Sequence, residues 1–170
     1  MNIVYFISEK DLKEYTPINL NVETQLIRTA IADAQILKMQ QNLSTTLYKK
    51  ICDLIRTDQI KLVANEKYKL LLDDYICPAT MAWSLVEAIP YIRYKIMNKG
   101  VQTQDGENSS SIPFEETKYL ISSLRNKAEF MSERLIKFIT NNITDYPEYN
   151  QCDTDVKPSS TGYFGGIQFD

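Results

Sequence analysis

The sequence predicts an all-α fold, a bundle of about four to five helices with a polar excursion and an extended C-terminal arm. Three observations carry this prediction. Apolar residues recur at spacings of three and four along most of the chain, as in helices with one buried face, and neither glycine nor proline occurs between Asn21 and Cys77. The third observation is a change of character from Asp145 onward, where Pro147 and Pro158 interrupt an acidic stretch.

The elements follow from local signals in chain order. The first half is predicted to contain an extended piece at 3–7, a short helix capped by Ser8 and ended by Thr16-Pro17, a helix over 22–41, a break near Asn42 to Ser44, and a helix over 45–57 capped by Ser44. The second half is predicted to contain a helix from Asn65 to Cys77, a helix from Ala79 to about Asn98 kinked at Pro90, a polar excursion from Gly100 to Ser111, and a helix from Pro113 to about Asn142.

Some finer expectations concern these elements. The helix starting at the candidate cap Asn21 should bury the stripe Val22, Leu26, Ala30, Ala34, Leu37 and Gln41. Trp83, Leu85 and Leu124 should be core residues, because each lies on the apolar face of a periodic helix. Within the excursion, Asp105-Gly106 suits the turn of a β-hairpin.

The chain divides into a body over 1–144 and an arm over 145–170. The arm has five acidic residues and one lysine, which gives it a net charge of −4. Because the net charge of the whole chain is −3, the body has a net charge of +1. It also contains four large apolar residues, which purely disordered tails usually lack: Tyr163, Phe164, Ile167 and Phe169. We expect the body to bury its apolar faces without the arm, and the four apolar residues to dock on another chain. The alternative is that the arm folds back on its own body.

Composition excludes several kinds of chemistry. The chain contains no histidine, which removes Ser/His/Asp and Cys/His hydrolases and most zinc sites. Cys52, Cys77 and Cys152 fit no CxxC spacing, and Cys52 and Cys77 lie in apolar helical contexts. Both are therefore expected to be free, small apolar residues in a reducing compartment. The sequence predicts no catalytic residue, no metal site and no cofactor.

Two charge patterns in the sequence bear on function. The adjacent carboxylates Asp73-Asp74 and Glu115-Glu116 point about 100° apart on a helix, so solvated helix ends explain them better than catalysis. Arg93, Lys95 and Lys99 lie among tyrosines and are candidates for nucleic-acid contact. A helix C-terminus attracts the same cations through its dipole, and this interpretation is the simpler one.

No segment has the roughly 18 to 20 continuous apolar residues that span a bilayer. The apolar run Ile3 to Ile7 is shorter than the apolar region of a signal peptide and has no basic residues before it. We therefore expect a soluble protein that is not exported by this route and does not bind membranes.

A group of short motifs carries a family resemblance. The long first helix contains the segment Ala32-Asp33-Ala34-Gln35, and Asn42-Leu43-Ser44 is followed by Leu47-Tyr48. With the later helices, the polar excursion and the arm, this order resembles the head–tail connector (adaptor, or head-completion) proteins of tailed double-stranded DNA phages. That family often ends a helix with Leu-Gly before a Leu-Tyr pair, and Ser44 stands where glycine is usual. The Asn-, Lys-, Ile- and Tyr-rich composition is similar to that of crAss-like phage ring proteins.

The resemblance implies a structural role in the neck of a virion. It implies a dodecameric homo-oligomeric ring, made in the host cytoplasm, that joins the portal to tail or neck proteins and surrounds DNA without reading its sequence. A different class of function is a helical adaptor or regulatory protein that binds protein or nucleic acid without catalysis. Oligomeric state alone and with portal distinguishes the two.

Overall fold

A computed structural model of the chain describes residues 3–18, 22–97, 100–103, 114–151 and 156, with backbone alone at 93–97, 100–103 and 114–117. Over these residues the fold is a helical bundle, as predicted, with one two-stranded pairing. The helices are α1 (Glu9–Tyr15), α2 (Thr24–Ala34), α3 (Gln40–Arg56), α4 (Glu66–Leu71), α5 (Cys77–Arg93) and α6 (Phe114–Asn141). The strands are β1 (Tyr94–Met97) and β2 (Gly100–Thr103).

The short helix α1 begins as its sequence predicts. The Ser8 hydroxyl accepts a hydrogen bond from the Asp11 backbone N–H at 3.1 Å, and the Asp11 carboxylate accepts one from the Ser8 N–H at 2.8 Å. This reciprocal pair is a capping box. The Ser8 hydroxyl also donates to the Asp11 carboxylate at 2.7 Å, and this bond, followed by the one from the Ser8 N–H, lowers the pKa of Asp11. Thr16, before Pro17, has extended backbone angles and ends the helix.

A π-helical turn at Gln35–Met39 joins α2 to α3 without a break. In this turn the Gln40 N–H donates to the Gln35 carbonyl, five residues back instead of four. The turn rotates the buried face of the following residues. Leu37, predicted to be buried, is 56% exposed, and Met39 is buried instead. The candidate cap Asn21 lies outside the described residues, and Glu23 stands at the start of α2 without a side-chain cap.

The prediction that Cys77-Pro78 ends a helix is wrong. α4, a second π-helical turn at Leu72–Ile76, and α5 form one continuous segment from Glu66 to Arg93. Pro78 has no N–H to offer the Asp74 carbonyl four residues earlier. The Arg134 guanidinium of α6 donates to that carbonyl at 3.3 Å. The wide turn and this bond from a neighbouring helix together explain why the proline is tolerated.

The end predicted for the next helix, near Asn98, is also wrong. α5 ends at Arg93, and β1 pairs antiparallel with β2, with Tyr94 opposite Thr103 and Met97 opposite Gly100. Pro90 cannot donate to the Val86 carbonyl, and the β-branched and aromatic residues that follow favour an extended chain. The excursion beyond Thr103 and its predicted turn at Asp105-Gly106 lie outside the described residues.

Two apolar clusters form the core. The main cluster joins α3, α4, α5, α6 and the C-terminal segment, and the second joins α1, α2 and α5. Trp83 belongs to the main cluster and Leu85 to the second, which confirms that both are core residues. Leu124 is partly buried and packs against both clusters. Within the described residues, no helix has the length and apolar character needed to cross a membrane.

Two aromatic residues beyond the predicted boundary at 144 pack into the main cluster. Tyr146 is 2% exposed, Tyr149 is also buried, and a 3₁₀ turn at Pro147–Tyr149 connects them. The Tyr146 hydroxyl donates to the Lys67 carbonyl at 2.9 Å. Aromatic side chains can thus be buried in a segment without a helical pattern, and Tyr146 and Tyr149 belong to the main cluster. The remaining arm residues, apart from Val156, lie outside the described residues.

Candidate docking site

The junction between α2 and α3 is organised by a buried glutamine. Gln35 is fully buried, and its Oε1 accepts a hydrogen bond from the Phe6 N–H at 2.7 Å. Its Nε2 donates to the Val4 carbonyl at 2.9 Å and to the Tyr48 hydroxyl at 3.4 Å. One side-chain amide therefore forms hydrogen bonds with a backbone N–H and a backbone carbonyl of the N-terminal segment, the two groups that a paired strand would bind. A buried amide without these partners would be costly, so Gln35 fixes this segment against the body.

The neighbouring Asp33 ties α2 to α5. Its carboxylate accepts a hydrogen bond from the Tyr91 hydroxyl at 2.7 Å. This bond is the principal cause that raises the pKa of Tyr91. Two residues of the Ala-Asp-Ala-Gln segment thus have structural roles. Gln35 binds the N-terminal segment, and Asp33 binds Tyr91 of α5.

A sharp kink lies within α3 at Ser44. Its backbone angles are φ 63° and ψ 159°, which only glycine adopts without steric cost. The predicted break near 42–44 is confirmed as a kink inside one helix, whereas the predicted cap by Ser44 is not formed. Its hydroxyl donates instead to the Glu148 carbonyl, at a long 3.5 Å.

Both sides of this kink are anchored to the rest of the bundle. Before it, the Asn42 amide donates to the Ser132 hydroxyl at 2.8 Å, and the Trp83 indole N–H donates to the same oxygen at 2.8 Å. After it, Leu47 is fully buried, and the Tyr48 ring packs against the Phe6 ring with 5.3 Å between the ring centroids. The kink is therefore held by contacts to α5, α6 and the N-terminus.

The C-terminal segment returns to the kink. The Thr45 N–H donates to the Val156 carbonyl at 3.2 Å, and the Val156 N–H donates to the Thr45 hydroxyl at 3.1 Å. The Thr46 hydroxyl donates to the Gln151 carbonyl at 2.7 Å. The Thr45 N–H is a backbone donor that follows the kink, and the other two bonds use the hydroxyls of Thr45 and Thr46. They fix Gln151 and Val156 against the start of the second half of α3.

A groove of about 390 Å³ opens beside this junction. The N-terminal segment, the π-helical turn and α3 form its walls. Its apolar lining is Ile3, Val4, Ile36 and Cys52, and Lys49, Asp53 and Arg56 lie at its polar side. The Arg56 guanidinium and the Asp53 carboxylate form an exposed ion pair at 2.7 Å. The groove thus combines an apolar lining with a polar side that carries both positive and negative charge.

The two described cysteines are free thiols. Cys52 belongs to the main cluster, which confirms its prediction as a small apolar residue, and burial raises the pKa of its thiol. Burial also raises the pKa of Cys77 to about 12. Both thiols are therefore protonated near neutral pH and are poor nucleophiles. Cys152 lies outside the described residues.

The residues predicted to contact partners fall mostly beyond what the structure describes. Tyr163, Phe164, Ile167, Phe169 and Lys99 are outside it. The backbone places Arg93 at the end of α5 and Lys95 in β1, so they do not share the single helix predicted for them. Across the described part of the chain, no three His, Cys, Asp or Glu residues are grouped to hold a metal ion.

Sequence reasoning missed the central residues of the junction. A glutamine inside an apolar stripe was the available signal for Gln35, because a buried amide needs partners. No pattern indicated the bonds between Thr45 and Val156, which are 111 positions apart. The groove was equally hidden, since its walls come from three separate parts of the chain.

The fold and this junction define a class of protein: a kinked helical bundle whose C-terminal segment returns to the kink. Comparison with known families matches residues 34–159 to a family described as a family of unknown function (DUF6712), and the chain belongs to that family. The matched region contains the junction from Gln35 to Val156 and ends before the four apolar residues of the arm. No curated protein and no solved structure matches the chain.

Proposed function

We propose that the protein is a structural subunit of a phage neck. Copies of the chain form an oligomeric ring that joins the portal to the tail and lines the channel for DNA. The proposal assigns no catalysis to the chain. It assigns the helical body to the wall of the ring and the arm to contact with a neighbouring protein.

The observation that carries the proposal is the backbone at Ser44. The resemblance to head–tail connectors rests on a helix end followed by a Leu-Tyr pair, with glycine usual where this chain has serine. Ser44 has backbone angles at which glycine is the favoured residue. Position 44 therefore has the backbone conformation for which glycine is favoured, although the residue there is serine. The chain thus keeps the backbone feature of the motif and differs from it in the side chain.

Exposed apolar residues on α6 support an assembled form. Tyr119 is 79% exposed and Phe130 is 63% exposed. They are eleven residues apart, which is close to three helical turns at about 3.6 residues per turn, so they lie on the same side of α6. Covering these two rings would remove large apolar side chains from water. A ring in which this face meets a neighbour would bury both.

The channel lining needs no sequence-specific contact. Arg93 and Lys95 follow one another closely at the end of α5 and in β1, and Lys99 is near in sequence. In the proposed ring these residues attract the phosphates of passing DNA, an interaction that weakens as salt concentration rises.

Light scattering after size-exclusion chromatography tests the proposal. The chain is measured alone and after mixing with the portal protein encoded in the same genome. We expect a complex with the portal that contains multiple copies of the chain. A chain that ignores the portal but binds nucleic acid or another protein would support the alternative, a helical adaptor without catalysis.

A further inference from the structure

We propose that, in the free subunit, the arm of the same chain fills the groove beside the junction. The docking segment is Tyr163–Phe169, and the receiving surface has the apolar lining Ile3, Val4, Ile36 and Cys52. The inference concerns the chain before assembly and goes beyond the proposed function. In the proposed ring, the segment leaves this groove before it contacts a neighbouring protein.

The last described residue of the arm stands at the groove. Gln40 is one of the residues that line the groove, and its side-chain amide donates a hydrogen bond to the Thr45 hydroxyl oxygen at 3.0 Å. The Val156 N–H donates to the same oxygen at 3.1 Å. The Thr45 N–H donates to the Val156 carbonyl at 3.2 Å, so two bonds fix the position of Val156. The chain that follows Val156 therefore starts beside a residue of the groove wall.

The length of chain after Val156 is enough for the segment to reach all of the groove along α3. Tyr163 is seven residues beyond Val156, which allows a reach of about 23 Å at roughly 3.3 Å per residue. Arg56 is the lining residue farthest along α3, about 16 Å from Thr45 at 1.5 Å per residue. Because the reach exceeds this distance, entry into the groove demands no particular course of the intervening residues.

The tether favours the groove of the same chain over that of a second copy. A random-coil chain of seven residues has an average end-to-end distance of about 15 Å, at roughly 5–6 Å times the square root of its length. This average is close to the length of the groove along α3. A tether that matches its span gives an effective concentration in the millimolar range. Second copies at micromolar concentration are about a thousandfold more dilute, so the segment of the same chain occupies the groove.

The segment also suits the groove in its charge. The polar side of the groove carries Lys49 together with the ion pair of Asp53 and Arg56, so it favours neither an acidic nor a basic segment. Tyr163–Phe169 contains no charged residue and has four large apolar side chains. Contact with the apolar lining removes both surfaces from water and buries no charge of the segment.

Photocrosslinking in the full-length chain tests the inference. Phe164 is replaced by a photoreactive phenylalanine, and an equal mixture of isotopically heavy and light copies is irradiated at micromolar concentration. We expect a product with the mass of one chain, whose crosslink lies on peptides that contain Ile36 or Cys52 and joins no heavy copy to a light one. Tenfold dilution should leave the yield unchanged, because the reaction takes place within one molecule. Heavy–light pairs as the main product, a crosslink on another surface or the absence of a crosslink would overturn the inference.

Matched variants of the full-length chain add a second readout. Ile36→Asp places a charge in the groove, whereas Leu37→Asp places the same charge on the adjacent exposed residue. We expect Ile36→Asp to lower the crosslink yield by about tenfold or more and Leu37→Asp to leave it unchanged. Equal yields would overturn the inference, and the crosslink map of the unsubstituted groove decides if Ile36→Asp fails to fold.

The outcomes separate this inference from the proposed function. Crosslinks at the groove within one copy, in a chain that does not bind portal, would remove the phage-neck function and leave the contact standing. Assembly on the portal by a chain whose free form crosslinks elsewhere would remove the contact and leave the function standing.

Discussion

At the residue scale, the protein depends on a few polar side chains and one unusual backbone position. The Gln35 side chain forms hydrogen bonds with the backbone of Val4 and Phe6. The Ser132 hydroxyl accepts hydrogen bonds from both Asn42 and Trp83. Ser44 is different, because its side chain contributes a single long hydrogen bond while its backbone adopts angles suited to glycine. The polar residues stabilise the junction, whereas the backbone conformation of Ser44 destabilises the fold.

Ser44→Gly should therefore stabilise the protein. Relief of the steric cost at this backbone position should raise the free energy of unfolding by about 1 kcal/mol, measured by urea denaturation. The matched control is Ser123→Gly, at an exposed position of α6, which should cost about 0.5 kcal/mol because glycine is a poorer helix former. A loss of stability in Ser44→Gly equal to that of the control would contradict the conformation described for the kink.

At the scale of elements, the sequence predicted which segments are helical better than where helices begin and end. Periodicity indicated α2, α3, α5 and α6 because each buries one continuous face. It failed at the π-helical turns, where one extra residue moves the buried position from Leu37 to Met39. It failed again at Pro78, because the partner that satisfies the Asp74 carbonyl is Arg134, a residue distant in the chain.

The C-terminal segment illustrates the same limit. Prolines and acidic residues indicated an arm from residue 145, yet Tyr146 and Tyr149 are buried against α3 and α4. Two aromatic side chains outweigh the local pattern, since burial of a ring removes a large apolar surface from water. Local composition could not reveal the site that receives them. The groove could not be predicted either, because its three walls meet only in the folded chain.

Removal of the Tyr146 side chain tests the membership of this segment in the core. Tyr146→Ala should lower the free energy of unfolding by about 3–5 kcal/mol, the range for large buried aromatic residues. Tyr146→Phe, which loses only the bond to the Lys67 carbonyl, should cost about 1 kcal/mol. The control Tyr119→Ala, at an exposed site, should change stability by less than about 0.5 kcal/mol. Similar losses in Tyr146→Ala and the control would place the arm boundary back at 144.

At the scale of the whole molecule, buried phenols and thiols make the fold sensitive to alkali. Burial raises the pKa of Tyr146 to about 12, from an ordinary value of 10.0. Burial also raises the pKa of Cys77 to about 12, from 9.0. The pKa of Tyr68 is raised as well, first by burial and then by its bond to Glu148. Because the folded state holds these protons more tightly than the unfolded chain, their contribution to stability is complete at neutral pH.

Stability should accordingly fall as pH rises from about 9 towards 12, because the unfolded chain loses these protons first. Urea denaturation at a series of pH values measures the effect. Tyr146→Phe lacks one of the titrating groups, so its free energy of unfolding should fall less steeply than that of the natural chain between pH 10 and 12. Parallel curves for the two proteins would show that Tyr146 titrates normally and is not buried as described.

The whole molecule also combines parts that suit assembly. Thr45 holds Val156 at the kink, the groove opens beside the junction, and α6 presents Tyr119 and Phe130 on one side. The proposed function gives each part a neighbour: a neighbouring protein for the arm, a second subunit for the exposed side of α6, and the portal for the ring.

Electron microscopy of the portal with and without the full-length chain tests the proposed function most directly. Class averages of the mixture should show an added ring beneath the portal, coaxial with it and of matching rotational symmetry. Portal images that stay unchanged by an excess of the folded chain would contradict the account.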